Sequence, residues 1–387
     1  MRRLVLICAG PFIVIALASV SARQQAPAAS VRARGTTAAT STTGKIVIKP
    51  QFDDAGSFTE GLAPIRIGDD KTGKWGFIDK TGKMVIPAVF AFAQTFHEGL
   101  ALVGVGGAPK AKYAFINTSG EIVITPKCDA AWMFRDGFAT VRIGDYRTGK
   151  YGYINKKGET VIAPTFDGAN IFADGLASVR IGDEKTGKWG FIDRTGRMVI
   201  PPQFSAAGGF WNDGLAGVRI GDRTTGHGAF IDKKGNIVLE PKSATAMSFA
   251  LIEGLAAARV GDEKSGKWGY VNKTGKLVIT PQFDEPREFQ DGLAAVRIGT
   301  FWTGKWGFID KTGTMVIAPQ FGSAAGFSEG LALVGIGEPL HRKYGFIDKT
   351  GKMVITAQFE GADSFSEGLA RVRVGDDKTG KSGFISR

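Results

Sequence analysis

One phrase, repeated along the chain, limits what this protein can fold into more than any other feature. Gly-Lys-Trp-Gly-Phe-Ile-Asp stands at 73–79, 187–193 and 304–310, with looser copies between, such as Tyr-Gly-Tyr-Ile-Asn at 151–155. With Trp75 as reference, the equivalents are Tyr113, Tyr151, Trp189, Gly228, Trp268, Trp306, Tyr344 and Ser382, at steps of 38, 38, 38, 39, 40, 38, 38 and 38 residues. A fixed period of this size marks a tandem array of one supersecondary unit, which buries its apolar side only against its neighbours. Length alone, at 387 residues, would suggest two or three domains. The unbroken period replaces that expectation with one array over 44–387.

Each unit carries β signals punctuated by turns. Leu62–Ile67 reads as one strand, the loop 68–74 follows, and Trp75–Asp79 leads through Lys80-Thr81-Gly82 into a strand over Lys83–Pro87. Two short runs separated by a Gly-containing loop are a hairpin signature. The segment 52–58 then closes the unit as a fourth short strand or an irregular turn. Seven residues after the reference, every complete copy has Gly (Gly82, Gly120, Gly158, Gly196, Gly235, Gly275, Gly313, Gly351), as a left-handed turn position requires. Four after it, Asp79, Asn117, Asn155, Asp193 and Ser386 interchange, so a short acceptor for turn amides is wanted there and not a charge.

Two further rows do carry charge. An acid precedes a second Gly in all nine copies: Glu60, Glu98, Asp136, Asp174, Asp213, Glu253, Asp291, Glu329 and Glu367. Arg66, Arg142, Arg180, Arg219, Arg259, Arg297 and Arg373 end the first strand. The spacing suggests a ladder of acids and arginines paired within or between units. One acid per unit is too few for a calcium site, which gathers several oxygens. A row of Phe58, Phe96, Phe134, Phe172, Trp211, Phe289, Phe327 and Phe365, with Leu251 in one copy, reads as core. The reference slot accepts Trp, Tyr, Gly and Ser alike, which suggests partial exposure. Trp75, Tyr113, Tyr151, Trp189, Trp268, Trp306 and Tyr344 are therefore the candidate ligand-stacking row.

The amino terminus differs from the array. Met1-Arg2-Arg3, the apolar run from Leu4 to Val20 and the small residues before Ala22 read as a secretory signal over 1–22, cleaved after Ala22. An N-terminal membrane anchor is the alternative. Residues 23–43, rich in Ala, Ser and Thr, read as a flexible linker. Signal removal leaves Cys128 as the one cysteine, in a slot held elsewhere by Phe, and so a buried apolar stand-in. The expectation is a secreted, periplasmic or cell-surface protein without a stable membrane span after cleavage.

The unit Gly-Lys-Trp-Gly-Phe-Ile-Asp-Lys, continuing to Val-Ile-x-Pro-x-Phe, resembles the WG repeat family, also called KWG repeats, over residues 44–387. Tyr113-Ala114, Gly228-Ala229 and Ser382-Gly383 depart from the pair that names it. The resemblance implies a bacterial, often exported repeat protein with no catalytic residues to carry over. The hairpins are also weakly similar to cell-wall choline-binding repeats, whose units are about half as long. The fold expected is an all-β array of nine hairpin or meander repeats forming an open β-solenoid or superhelical stack. A closed, nine-bladed propeller-like ring is the alternative. The first copy starts at the third strand and the last stops after the second, so the two ends would complete one hairpin; against this, propellers typically have about four to eight blades.

Enzyme chemistry finds little here. His97, His227 and His341 share no repeat slot, no Cys/His metal spacing occurs, and no phosphate-binding Gly motif is present. No catalytic residues, cofactor or metal are expected. Net charge is +12, or +10 without Arg2 and Arg3, much of it on turn lysines such as Lys71, Lys74, Lys80 and Lys83. A basic stripe facing an anionic envelope polymer or acidic protein follows if those turns stack; an exported protein has little call for nucleic acid. The function expected is an exported, non-enzymatic scaffold that binds a protein or glycan of the cell envelope or its surroundings. The alternative is a carbohydrate-binding module acting through the Trp/Tyr row. Oligomeric state has no sequence signature.

Overall fold

The computed structural model describes residues 44–387 apart from 108–110, 212–213, 241–243, 263, 340 and 377. The signal and linker expected over 1–43 lie outside the described residues. Among the described residues, no helix is long and apolar enough to cross a membrane.

Each repeat folds as an antiparallel meander, the cheapest way to join short strands whose turns are already specified locally. In the fourth, Gly168–Ala169, Leu176–Ile181, Lys188–Asp193 and Met198–Phe204 lie side by side in chain order. The segment left undecided between strand and turn is thus a short first strand. Eight such sheets have four strands and one has three among the described residues, the second blade keeping only a bridge, Ala93 to Val103, in place of its first strand.

The ninth sheet decides the architecture. Its first three strands are Gly361–Ala362, Ala370–Val374 and Lys381–Ser386, and its fourth is Lys45–Phe52 from the opposite end of the array. Lys45 sits opposite Ser386 and Phe52 opposite Ser382. Of the two arrangements the sequence allowed, the structure adopts the ring: nine blades, closed by the first strand of the array. Closure removes the terminal faces that an open array must cap.

Eight of the nine blade junctions carry the same aromatic contact, and at the fifth Phe230 packs with Leu251 instead. Phe77 meets Phe96 at 4.9 Å, Phe191 meets Phe210 at 5.1 Å and Phe346 meets Phe365 at 4.9 Å between ring centroids. The same edge-on contact crosses the seam, Phe384 to Phe58 at 4.8 Å. Such pairs add about 0.5–1.5 kcal/mol each beyond the area they bury. Phe210 takes the place in this row assigned to Trp211: it is fully buried, and Trp211 is the next residue along, only half-buried. The 39-residue step of this copy carries one extra residue, between Trp211 and Gly214, and counting back from the glycine puts the wrong aromatic in the core.

Two glycines explain the repeated motif. Gly82 has φ +86° and lies against Ile48 of the preceding blade, so both conformation and space exclude a larger residue. At Gly76, the glycine of the Trp-Gly pair, a Cβ would fall 2.5 Å from the Ile86 oxygen of the fourth strand. Where that glycine is Ala114 or Ala229, the fourth strand shrinks to Ile122–Ile124 or Ile237–Leu239, against seven residues in Met198–Phe204. Close approach of the fourth strand therefore needs the missing side chain.

Candidate functional site

Strand register sorts the connections onto two faces. Leu62 pairs with Asp79 and Ile67 with Lys74, so the hairpin turns at 59–62 and 79–83 share one face and the loop 68–74 lies on the other.

On the turn face, the acid row forms a circuit in which, among the described residues, seven of the nine acids accept a bond from a glycine amide of the next blade. Glu60 Oε2 accepts from Gly99 N at 2.9 Å, Glu98 Oε2 from Gly137 N at 3.0 Å and Asp136 Oδ2 from Gly175 N at 2.8 Å. Glu367 Oε2 accepts from Gly61 N at 3.0 Å, which carries the circuit across the seam. Several of these acids also meet a cation of the following blade: Lys156 with Glu98 at 3.1 Å, Lys233 with Asp174 at 2.7 Å, Lys311 with Glu253 at 2.8 Å and Lys80 with Glu367 at 3.1 Å. The expected ladder between units is present, but its cations are these turn residues. The strand arginines lie at the far end of the second strand. Glu60, Glu98 and their counterparts hold φ near +50°, unusual for a residue with a side chain. No three His, Cys, Asp or Glu residues converge on a metal position among the described residues.

The Asp/Asn row acts as the sequence suggests. Asp79 Oδ1 accepts from the amides of Thr81 and Lys83 and from the Thr81 hydroxyl. On the loop face, Asp145, Asp183 and Asp262 do the same for their loops, and the hydroxyls of Thr148, Thr186 and Ser265, then loop amides, push each carboxyl down to about 2. Hydrogen bonds from Thr81 and Lys83 likewise hold the Asp79 carboxyl below its ordinary range, while burial pushes the Cys128 thiol, which packs against the Phe115 and Phe134 cluster, up to about 11.

The Trp/Tyr row lies within the ring wall. Trp75 packs with Ile86, Phe90 and Phe96, Trp189 with Ile200 and Phe204, and Trp268 with Ile279 and Phe283. Tyr113, Tyr151 and Tyr344 are likewise half-buried, and Trp306 is only 5% exposed. Across the strand pair each tryptophan faces an arginine, and the guanidinium of Arg180 lies 6.0 Å from the Trp189 ring centre, that of Arg259 5.7 Å from Trp268. These distances are within cation–π range. Where the row has Gly228, Met247 of the next blade fills the space, which is how one slot accepts both Trp and Gly.

Two sets of residues that sequence reading passed over lie outside this row, the first of them well exposed. In the loop-face positions held by Asp70 and Lys71 in the first blade, the third has Tyr146, 76% exposed, and the seventh has Phe301 and Trp302, 70% and 71% exposed and packed edge to face. The second set lies on the first strands, at the edge nearest the axis. Arg135 of the third blade sits 4.6 Å over the Trp211 ring of the fifth, and side chains can reach past an intervening blade only where blades converge. There the copies diverge in chemistry: Gly56, Gln94, Trp132, Asn170, Gly208, Arg287, Ala325 and Asp363 hold one slot. Their partners on the second strand vary with them. Asn170 Nδ2 donates to Ser178 Oγ at 2.8 Å, and Asp363 takes two bonds from Arg371, at 2.6 and 2.9 Å. The signal for both sets was in the sequence, as the residues that break the repeat.

Comparison with known proteins places this geometry. The chain is similar to three solved structures. The chain is 13% identical to one titled crystal structure of the eukaryotic initiation factor, with a TM-score of 0.53, over 78% of this chain and 86% of that one. It is 13% identical to a prolyl endopeptidase over 79% and 54% of the two chains, with a TM-score of 0.43. It is 10% identical to the Pyrococcus horikoshii acylaminoacyl peptidase over 77% and 58%, with a TM-score of 0.38. At such identities the likeness to the first speaks for fold alone, and the other two carry no argument. No curated protein matches the chain. The WG containing repeat matches nine times in succession, at 41–71, 75–107, 113–146, 151–184, 189–223, 229–263, 268–300, 306–338 and 344–378. With nine matched segments, a blade for each and the Trp-Gly glycine setting the approach of the fourth strand, the chain belongs to the WG containing repeat family.

Proposed function

We propose that this ring is a non-enzymatic scaffold that is exported and binds a protein or glycan of the cell envelope or its surroundings. One observation carries the reading: in an array whose copies otherwise agree, chemical diversity is gathered along the axial edge and at a few loop tips. Positions that hold the ring together must repeat, because every blade meets the same neighbour. Positions that recognise something outside the ring are free to differ. Trp132, Asn170, Arg287 and Asp363 share a slot and little else.

The charged rows support the same reading from the other side. Most of their carboxylates are committed to turn amides and several also to cations of the next blade, which holds them ionised, whereas acid–base catalysis wants a group tuned toward neutral pH.

The test is retention of the purified chain on isolated cell envelope across a salt series. Retention lost between about 50 and 300 mM salt marks a charged partner screened over the Debye length. Retention that survives salt but falls with Trp302→Ala or Arg287→Ala marks the loop tips or the axial edge. Retention unaffected by salt and by both variants, or none at all, would remove the basis for the proposal.

A further inference from the structure

Three of the seven tryptophans, Trp132, Trp211 and Trp302, stand outside the repeat row. Two of these line one cleft. It opens between the first strands of the third, fourth and fifth blades, measures about 310 Å³ and has Trp132, Thr140, Asn170, Gly208, Gly209 and Trp211 on its walls.

The cleft exists because small residues interrupt a crowded edge. Ala173 holds, in the fourth blade, the position that carries Arg135 and Trp211 in its neighbours. Gly208 and Gly209 hold the positions of Asn170 and Ile171, and a Cβ on Gly209 would already lie 3.2 Å from the Trp211 indole. The walls are fixed. Trp132 rests on Tyr151 at 5.6 Å, Arg135 holds Trp211 from one side, and the Asn170 carboxamide donates to Ser178 Oγ and to Ala207 O at 3.2 Å. Thr140, on the second strand behind Trp132, is 2% exposed, and its hydroxyl has no hydrogen-bond partner among the described residues. A buried hydroxyl left unpaired is costly, and most native ones are satisfied. This one lines a cleft.

We propose that the cleft binds a saccharide, with a pyranose ring against the indoles of Trp132 and Trp211 and a ring hydroxyl bonded to Thr140 Oγ1. The chemistry selects this class. The indoles offer flat apolar faces, which suit the C–H face of a sugar and also an aromatic ring. The unpaired hydroxyl and the amide-bearing wall call for an occupant rich in hydroxyl groups at its edge, which an aromatic ring lacks. Gly208 and Gly209 leave the backbone bare, so a ring can approach closely. This moves glycan recognition away from the shared Trp/Tyr row, whose rings are held under arginines. The inference rests on reading the ring as a binding scaffold and names one ligand class for it.

The full chain is titrated with glucose, galactose, mannose, N-acetylglucosamine, glucuronic acid and their short oligosaccharides, followed by saturation-transfer NMR and tryptophan fluorescence. At least one should bind saturably. Trp132→Ala and Trp211→Ala should each weaken it about tenfold, the scale of a lost aromatic stacking contact. Thr140→Val is the variant that keeps the fold. It should weaken binding about threefold or more and raise the Tm of the free protein, because it removes a hydroxyl satisfied only in the complex. A merely structural threonine would not move the two readouts in opposite directions. Saturable binding to no saccharide of the panel, or binding that persists in both tryptophan variants, overturns the assignment. If the panel fails while envelope retention remains, the scaffold reading stands and the cleft falls.

Discussion

Ring closure predicts that the first strand of the array is as costly to damage as any strand inside it. Phe52 and Ile48, 6% and 3% exposed, belong to one cluster with Phe58, Ile65 and Ile78 of the first blade and Leu369 and Phe384 of the ninth. Phe283, 1% exposed, fills the same slot between the sixth and seventh blades. Truncating a buried Phe to Ala costs about 3–5 kcal/mol from lost transfer energy and the cavity left behind. Phe52→Ala and Phe283→Ala should therefore both fall in that range, within about 2 kcal/mol of each other. In an open array the first strand would be a fraying end, and Phe52→Ala would cost under about 1 kcal/mol. Urea unfolding followed by far-ultraviolet circular dichroism measures both. A circular permutant adds a second arm. Fusing Arg387 directly to Thr43 writes Ser-Arg-Thr-Gly-Lys where the first blade has Asp79-Lys80-Thr81-Gly82-Lys83, and Gly44 already holds φ +71°. Reopened between Tyr146 and Arg147, that chain should fold with nearly unchanged stability. A negligible loss in Phe52→Ala beside a full one in Phe283→Ala would refute the closed ring.

Three further outcomes are expected. Gly190→Ala places a Cβ 2.5 Å from the Ile200 oxygen and should cost about 1–3 kcal/mol, visible as a lower Tm, as the fourth strand is pushed away. Glu253→Ala removes the bonds to Gly292 N and Lys311; the pair is partly exposed, so about 1 kcal/mol is expected, and a double-mutant cycle with Lys311→Ala should recover most of it as coupling. Asp145, Asp183 and Asp262 are depressed from 3.8 to about 2, so their contribution is complete above pH 3.8 and disappears as pH falls toward 2. NMR titration of these carboxyls with midpoints near 4 would show that the loops do not hold them.

Local physics is legible in this chain because it is written nine times. The glycine row at positive φ and the Asp/Asn acceptors of turn amides need only neighbours within a hairpin, and the buried Phe slots, though they pack between blades, were visible because every copy repeats them. Where a copy carried an extra residue, as between Trp211 and Gly214, spacing alone could not say which aromatic faces inward, and burial assigned Phe210. The acid row was visible as a row, while its partners, the Gly amides and turn cations of the next blade, became known only once blades stood side by side. So too for the cleft that Trp132 and Trp211 share from two blades apart.

What the sequence determined by itself was the unit: an all-β hairpin repeat with its turns, its core face and its count. What only the tertiary structure decided was the ring. The same turns and strands serve a rod or a circle, and the choice depends on a small rotation between neighbours, summed over nine contacts until Lys45–Phe52 reaches Lys381–Ser386. A rotation of that kind is set by side-chain packing between blades, such as Phe384 on Phe58, and no single repeat contains it.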